Sequence, residues 1–228
     1  MEWSPFICLK TMGLAFAALF PIVNPLGDAP IFLNLTREYS DSVQKFLARK
    51  IAIYGFLMLA ASLLFGSRIL EFFGISIPIM QLAGGLVLAI TGWQLLSAAD
   101  NSYATPRQQD TLQAAMSHAF YPLTLPLTVG PGCISVAITI GAHIRQKVGA
   151  RYIFDLPLFL AALLGMALVC VLVWLCYGNA YRLVKRLGTT GSAVVTRLSS
   201  FILLAIGFQI MWNGLSSALE LLSRNGLP

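Results

Sequence analysis

Two short stretches of the chain hold residues whose types and spacing could do chemistry. The first is FPIVNPLGDAPIF, Phe20–Phe32, with Asn24, Pro25, Gly27 and Asp28 at its centre. The second is LPLTVGPGCISV, Leu125–Val136, with Gly130, Pro131 and Gly132. Proline lacks a backbone donor and clashes with the turn before it. Asparagine favours the N-cap and proline the first helical position. Each stretch therefore ends one helix near Val23 or Val129 and starts another. A helix start presents unpaired N–H groups and a positive dipole end, which suit a carboxylate. The carbonyls freed at the end of the preceding half suit an ammonium group or a cation. Gly27, Gly130 and Gly132 remove bulk, either for a small ligand or for close helix crossing. Asp28 falls in the first turn of the second half-helix, as a dipole partner or a candidate proton-coupling group.

The elements that carry these stretches are apolar. The 228 residues are 57% hydrophobic and 11% charged, with a mean hydropathy of +0.79. A soluble domain carries about 25% charged residues, so the composition is that of an integral helical membrane protein. The net charge of +6 is scattered over short loops, which fits a lipid surface and excludes nucleic acid as a partner. The N-terminus lacks a signal-peptide cleavage site and is expected to be retained.

Six spans are expected, near Thr11–Leu33, Ile51–Gly66, Ile77–Leu96, Ala119–Ala142, Ile153–Tyr177 and Leu198–Leu222, with spans 1 and 4 broken near the midplane. About 20 apolar residues are needed to cross a bilayer. A broken helix survives there only when buried in protein or lining a cavity. The polar stretch Ser97–Gln113 reads as a cytosolic linker. It divides the chain into a first three-helix repeat (1–96), a linker (97–117) and a second repeat (118–228). The expected fold is thus all-α, two inverted repeats of three spans. Interrupted spans in corresponding positions of two halves are the sequence pointer to a transporter site. Orientation follows from Arg37, Lys45, Arg49, Lys50 and Arg107, and from the basic loop holding Arg182, Lys185, Arg186 and Arg197. Placing these inside puts both termini outside.

Outside the breaks, Gly84, Gly85, Ala89 and Gly92 lie partly on one face of span 3. They serve helix packing or, at Gly84 and Gly85, a substrate. Gln209 and Asn213 are one turn apart on span 6 and either bond between helices or, for Gln209, reach the substrate. His118 and His143 read as interfacial. Cys8, Cys133, Cys170 and Cys176 have no metal or redox spacing and read as packing residues. No H-E-x-x-H or G-x-S-x-G motif is present, so no cofactor, metal or enzyme activity is expected.

The motifs together resemble the MarC family of bacterial and archaeal membrane proteins. The resemblance rests on NPLGDAPIF (Asn24–Phe32), FGIS with LAGG (Phe73–Ser76, Leu82–Gly85), PLTLPLTVGPG (Pro122–Gly132), and TRL with LLAIGFQ (Thr196–Leu198, Leu203–Gln209). Asp28 departs from a family pattern that more often has an uncharged residue there. The resemblance implies a plasma-membrane carrier of the LysE type, the family including small neutral amino-acid transporters. The expected function is secondary transport of such an amino acid by alternating access, coupled to a proton or Na+. The alternative is an exporter or channel for another small organic or inorganic ion.

Overall fold

A computed structural model describes residues 5–97, 118–148 and 151–224. The helices run α1 (Pro5–Val23), α2 (Pro25–Leu35), α3 (Asp41–Phe72), α4 (Ile77–Ser97), α5 (Ala119–Thr128), α6 (Pro131–Ile144), α7 (Leu156–Gly178) and α8 (Ala180–Arg224). Between α6 and α7 lies an antiparallel hairpin, β1 (Arg145–Val148) and β2 (Arg151–Phe154), with Arg145 opposite Phe154. Every membrane-length element is helical, as expected of an all-α membrane protein, and the hairpin is a short addition in the stretch between α6 and α7. Residues 98–117, which include most of the Ser97–Gln113 linker, lie outside the described residues.

Among the described residues, five helical stretches are long and apolar enough to cross a membrane. They are Phe6–Leu35, Asp41–Phe72, Ile77–Ser97, Leu156–Gly178 and Thr190–Leu221. The stretch expected as span 4 is divided into α5 and the shorter apolar α6. The outward faces carry large apolar side chains, among them Phe65, Trp93, Phe201 and Trp212, each about 60% exposed. A water-facing surface seldom tolerates such a patch, and lipid does.

Several helices outrun their apolar spans. Helix α3 begins ten residues before Ile51 because its polar first turns are held locally. Lys45 Nζ lies 2.7 Å from Asp41 Oδ2, an i,i+4 pair. Gln44 donates to the carbonyls of Thr36 (2.9 Å) and Tyr39 (3.3 Å), tying the α2–α3 turn together. The far end stops at Gly74, whose φ of 68° no β-branched residue would adopt readily. Ile75 N–H reaches Leu70 O and Gly74 N–H reaches Glu71 O, a Schellman closure. The basic stretch Arg182–Arg197, expected as a loop, is helical within α8 apart from a break at Gly188 (φ 69°, ψ 179°).

Helix α4 lies along α8, and α1 lies along α7. Helix α3 packs on α7, α6 and α5. The two short half-helices are inserted between longer ones: α2 against α8 and α7, α6 against α4 and α3. The core forms where these meet, with Leu19, Val23, Phe32, Leu59, Val129, Met166 and Tyr177 all buried.

Candidate functional site

The first break is made by one residue. Asn24 adopts a left-handed conformation (φ 47°, ψ 54°) between α1 and α2. Asparagine tolerates this region better than most residues. Its own N–H closes the last turn of α1 on Phe20 O at 3.0 Å, and its carbonyl accepts from Asp28 N at 3.0 Å. Its Oδ1 accepts from Gly27 N at 3.2 Å. Pro25 occupies the first helical position of α2. The expected cap and start are both present.

Asp28 follows in that first turn, only 5% exposed. Its carboxylate accepts from Asn24 Nδ2 at 3.4 Å. One turn further along α2, Phe32 stacks on Tyr177 of α7. A carboxylate at a helix start is favoured by the dipole. A buried one stands out more, because an ionised group away from water is costly unless it is neutralised or paired.

The second break is spread over α5. Its turns are wide, closing from residue i to i−5, as in Val129 N to Thr124 O at 2.8 Å. Non-helical backbone occurs at Tyr121 and Leu125. Such coiling leaves carbonyls without their usual partners. Two buried threonines answer them: Thr124 Oγ1 donates to Ala119 O (2.6 Å) and Thr128 Oγ1 to Leu123 O (2.8 Å). Thr128 also meets the Tyr177 hydroxyl at 3.2 Å. Helix α6 then starts at Pro131, with Ile134 N on Gly130 O at 3.2 Å. Counted from the two helix starts, Gly130 matches Asn24 and Cys133 matches Gly27.

The structure brings some expected site residues together. Gly132 and Cys133 are buried in the first turn of α6. Gly84 of α4 lies against Ser135 of α6; a Cβ on Gly84 would sit 2.5 Å from Ser135 Cβ. Ser135 Oγ donates to Met80 O at 3.1 Å across the same interface. Gly85 instead faces α8, where a Cβ would be 2.6 Å from Gly207 O. Gln209 is exposed on α8 and donates to Asn213 Oδ1 at 2.9 Å. That hydrogen bond stays within α8 and goes to neither break.

The space beside the glycines is filled by protein. A Cβ on Gly132 would run into the Leu88 side chain, and one on Gly27 into the capping side chain of Asn24. Of the two roles open to these glycines, close packing is the one visible. Gly130 is half-buried and Pro131 exposed.

Sequence reading passed over Tyr177, Thr124 and Thr128. Tyr177 is fully buried, stacked on Phe32 with ring centroids 4.7 Å apart, and joins the second break to α2. The available signal was the pair of threonines one turn apart just before a proline-glycine break, hydroxyls suited to freed carbonyls. Among the described residues no group of three or more His, Cys, Asp or Glu could hold a metal ion.

A helical chain with five membrane-length apolar stretches, and half-helices beginning among buried residues, is an integral membrane protein of a specific design. Residues 9–219 match the MarC family, described as MarC family integral membrane protein, and the chain belongs to that family. It is similar to a UPF0056 membrane protein of Methanocaldococcus jannaschii, 31% identical over 211 residues, which covers 92% of this chain and 98% of that one. A UPF0056 membrane protein of Archaeoglobus fulgidus is 32% identical over 205 residues, covering 90% and 92%. The UPF0056 inner membrane protein MarC of Escherichia coli is 29% identical over 211 residues, covering 90% and 94%. No solved structure matches the chain.

Proposed function

We propose that this chain is a secondary transporter of small neutral amino acids, working by alternating access between two inverted three-span repeats. The observation that carries the reading is the buried Asp28 in the first turn of one half-helix, α2, with a second half-helix, α6, starting at Pro131 and burying Gly132 and Cys133 in its first turn. Broken helices at the centre of a membrane fold are the usual scaffold for binding a charged small molecule. Helix starts attract a substrate carboxylate, and Asp28 attracts its ammonium group or carries the coupling proton. The pairing of elements supports the repeat. α2 packs on α8 and α7, much as α6 packs on α4 and α3. In that arrangement α1–α2, α3 and α4 form one repeat, and α5–α6, α7 and α8 the other, giving six spans with α5–α6 crossing as a broken pair.

The Escherichia coli relative carries the name of an inner membrane protein, and we place this chain in the same kind of membrane, both termini outside. Reporter fusions after Leu222 check the orientation; a cytosolic signal would reverse it. The function is tested on purified, reconstituted protein by counterflow with labelled glycine or alanine against a panel of inorganic and organic anions. Saturable exchange of the amino acids alone is expected. Exchange of anions alone would replace the reading with an anion carrier. Asp28→Asn should keep exchange yet lose stimulation by a pH gradient. Full stimulation in that variant would remove Asp28 from the coupling step.

A further inference from the structure

A groove of about 640 Å³ runs along the outer flank of the molecule between α3 and α7. That volume is within the range of small-molecule sites. Its walls include Ile53, Phe56 and Leu57 on α3 and Val171 and Trp174 on α7. Ile53 and Leu57 are 43% and 56% exposed, so the groove opens to the surroundings. One end is different in kind: Arg49 lines it and is exposed. Among the described residues no carboxylate pairs with Arg49. Lys50 adds a second positive charge alongside, its Nζ 5.6 Å from the Phe46 ring centre and 5.9 Å from that of Tyr54.

An apolar trough with a basic end matches a lipid with an acidic headgroup. From Arg49 to Leu57 a helix rises about 12 Å. One leaflet contributes about 15 Å of hydrocarbon. A chain lying in the groove would therefore run most of one leaflet with its phosphate beside Arg49, and Trp174 has the amphipathic ring favoured at that level. Guanidinium binds phosphate through two parallel hydrogen bonds. A second copy docking by the same face would bring Arg49 toward another Arg49, and no acidic residue lines the groove to balance them. We infer that the α3–α7 groove holds an acyl chain of an anionic phospholipid whose phosphate rests on Arg49.

Native mass spectrometry of the detergent-purified chain tests this with phosphatidylglycerol and phosphatidylcholine of identical acyl chains. Preferential retention of phosphatidylglycerol is expected. Arg49→Gln should cut that retention about fivefold, the effect of one basic residue at an anionic surface, with phosphatidylcholine unchanged. Arg49→Lys should restore part of it. Ala167→Leu, which fills the half-buried floor of the groove, should lower retention of both lipids while size exclusion shows the same folded particle. Equal retention of the two lipids by the unaltered chain would overturn the inference. So would retention unaffected by either Arg49→Gln or Ala167→Leu. A particle that halves in mass on Ala167→Leu would assign the groove to a second copy instead.

Discussion

At Asn24 the chain changes helix over a single residue, whereas the approach to Pro131 takes the ten residues of α5. The difference comes from the capping residue. Asparagine can enter the left-handed region and offer a side-chain acceptor, so Asn24 closes both sides of its own break. Glycine at 130 has no side chain to offer. The second break draws its hydroxyls from Thr124 and Thr128 and leans on Tyr177 of α7. The first break is nearly self-sufficient, and the second is built from tertiary contacts. They should fail in different ways.

The largest expected effect separates them at their glycines. Gly132→Val drives a branched side chain into Leu88 of another helix. Overpacking of this kind costs about 1–3 kcal/mol. A drop of that size in thermal stability in detergent is expected, partly relieved by adding Leu88→Ala. At Gly27→Val the nearest atoms a Cβ meets belong to the side chain of Asn24, a cap within its own turn. Its expected cost is smaller, because the nearest clash is with the end of a side chain in its own turn, and Leu88→Ala should not relieve it. Equal losses at the two positions would break the contrast.

Next in size is the cap itself. Asn24→Ala removes the acceptor for Gly27 N–H and places a Cβ at positive φ. Loss of a cap costs about 1 kcal/mol, and glycine in its place only a few tenths. Unfolding of both variants should therefore rank Asn24→Ala clearly below Asn24→Gly. If the two are indistinguishable, the left-handed turn is not what holds the first break.

The sequence made the first break readable because its chemistry is local. Asn24, Pro25, Gly27 and Asp28 state the cap, the start and the first turn within five residues. The start of α6 was readable from Gly130 and Pro131 for the same reason. The form of α5 was not, because wide turns with carbonyls bonded by Thr124 and Thr128 depend on Tyr177, far along the chain. The extent of α3 was missed because hydropathy marks only the part that meets lipid. The polar turns from Asp41 onward are fixed by Lys45 and Gln44. The role of the glycines was undecidable from composition alone. Gly84 and Gly85 are neighbours in sequence yet face α6 and α8 respectively, a distinction set by which helix lies opposite.

The dependence of the second break on α7 can be measured directly. Tyr177→Phe keeps the stack on Phe32 and deletes the hydroxyl bonded to Thr128. Hydrogen bonds between membrane helices average about 0.6 kcal/mol. A loss of that order is expected, and Thr128→Ser, which keeps the hydroxyl, should cost less than Thr128→Val. In a double-mutant cycle Tyr177→Phe and Thr128→Val should be less than additive. Strict additivity would show that the hydroxyl contact does not connect α5 to α7.

The smallest expected effect concerns a residue outside both breaks. Gln209 was a candidate for the substrate site, yet it is exposed on α8 with Asn213 one turn away as its hydrogen-bond partner. Two amides facing an apolar medium lower each other's desolvation cost by bonding together. That local role explains their spacing without a ligand. Gln209→Leu removes one amide and leaves Asn213 short of a partner, while Gln209→Leu with Asn213→Leu removes both. Exposed substitutions away from special features stay within about 0.5 kcal/mol. The double variant is expected to be at least as stable as the single one, with binding of the proposed substrate unchanged in both. If binding is lost while stability is kept, Gln209 touches the substrate. The site would then extend from the two breaks onto α8, and the comparison would need that helix as a third member.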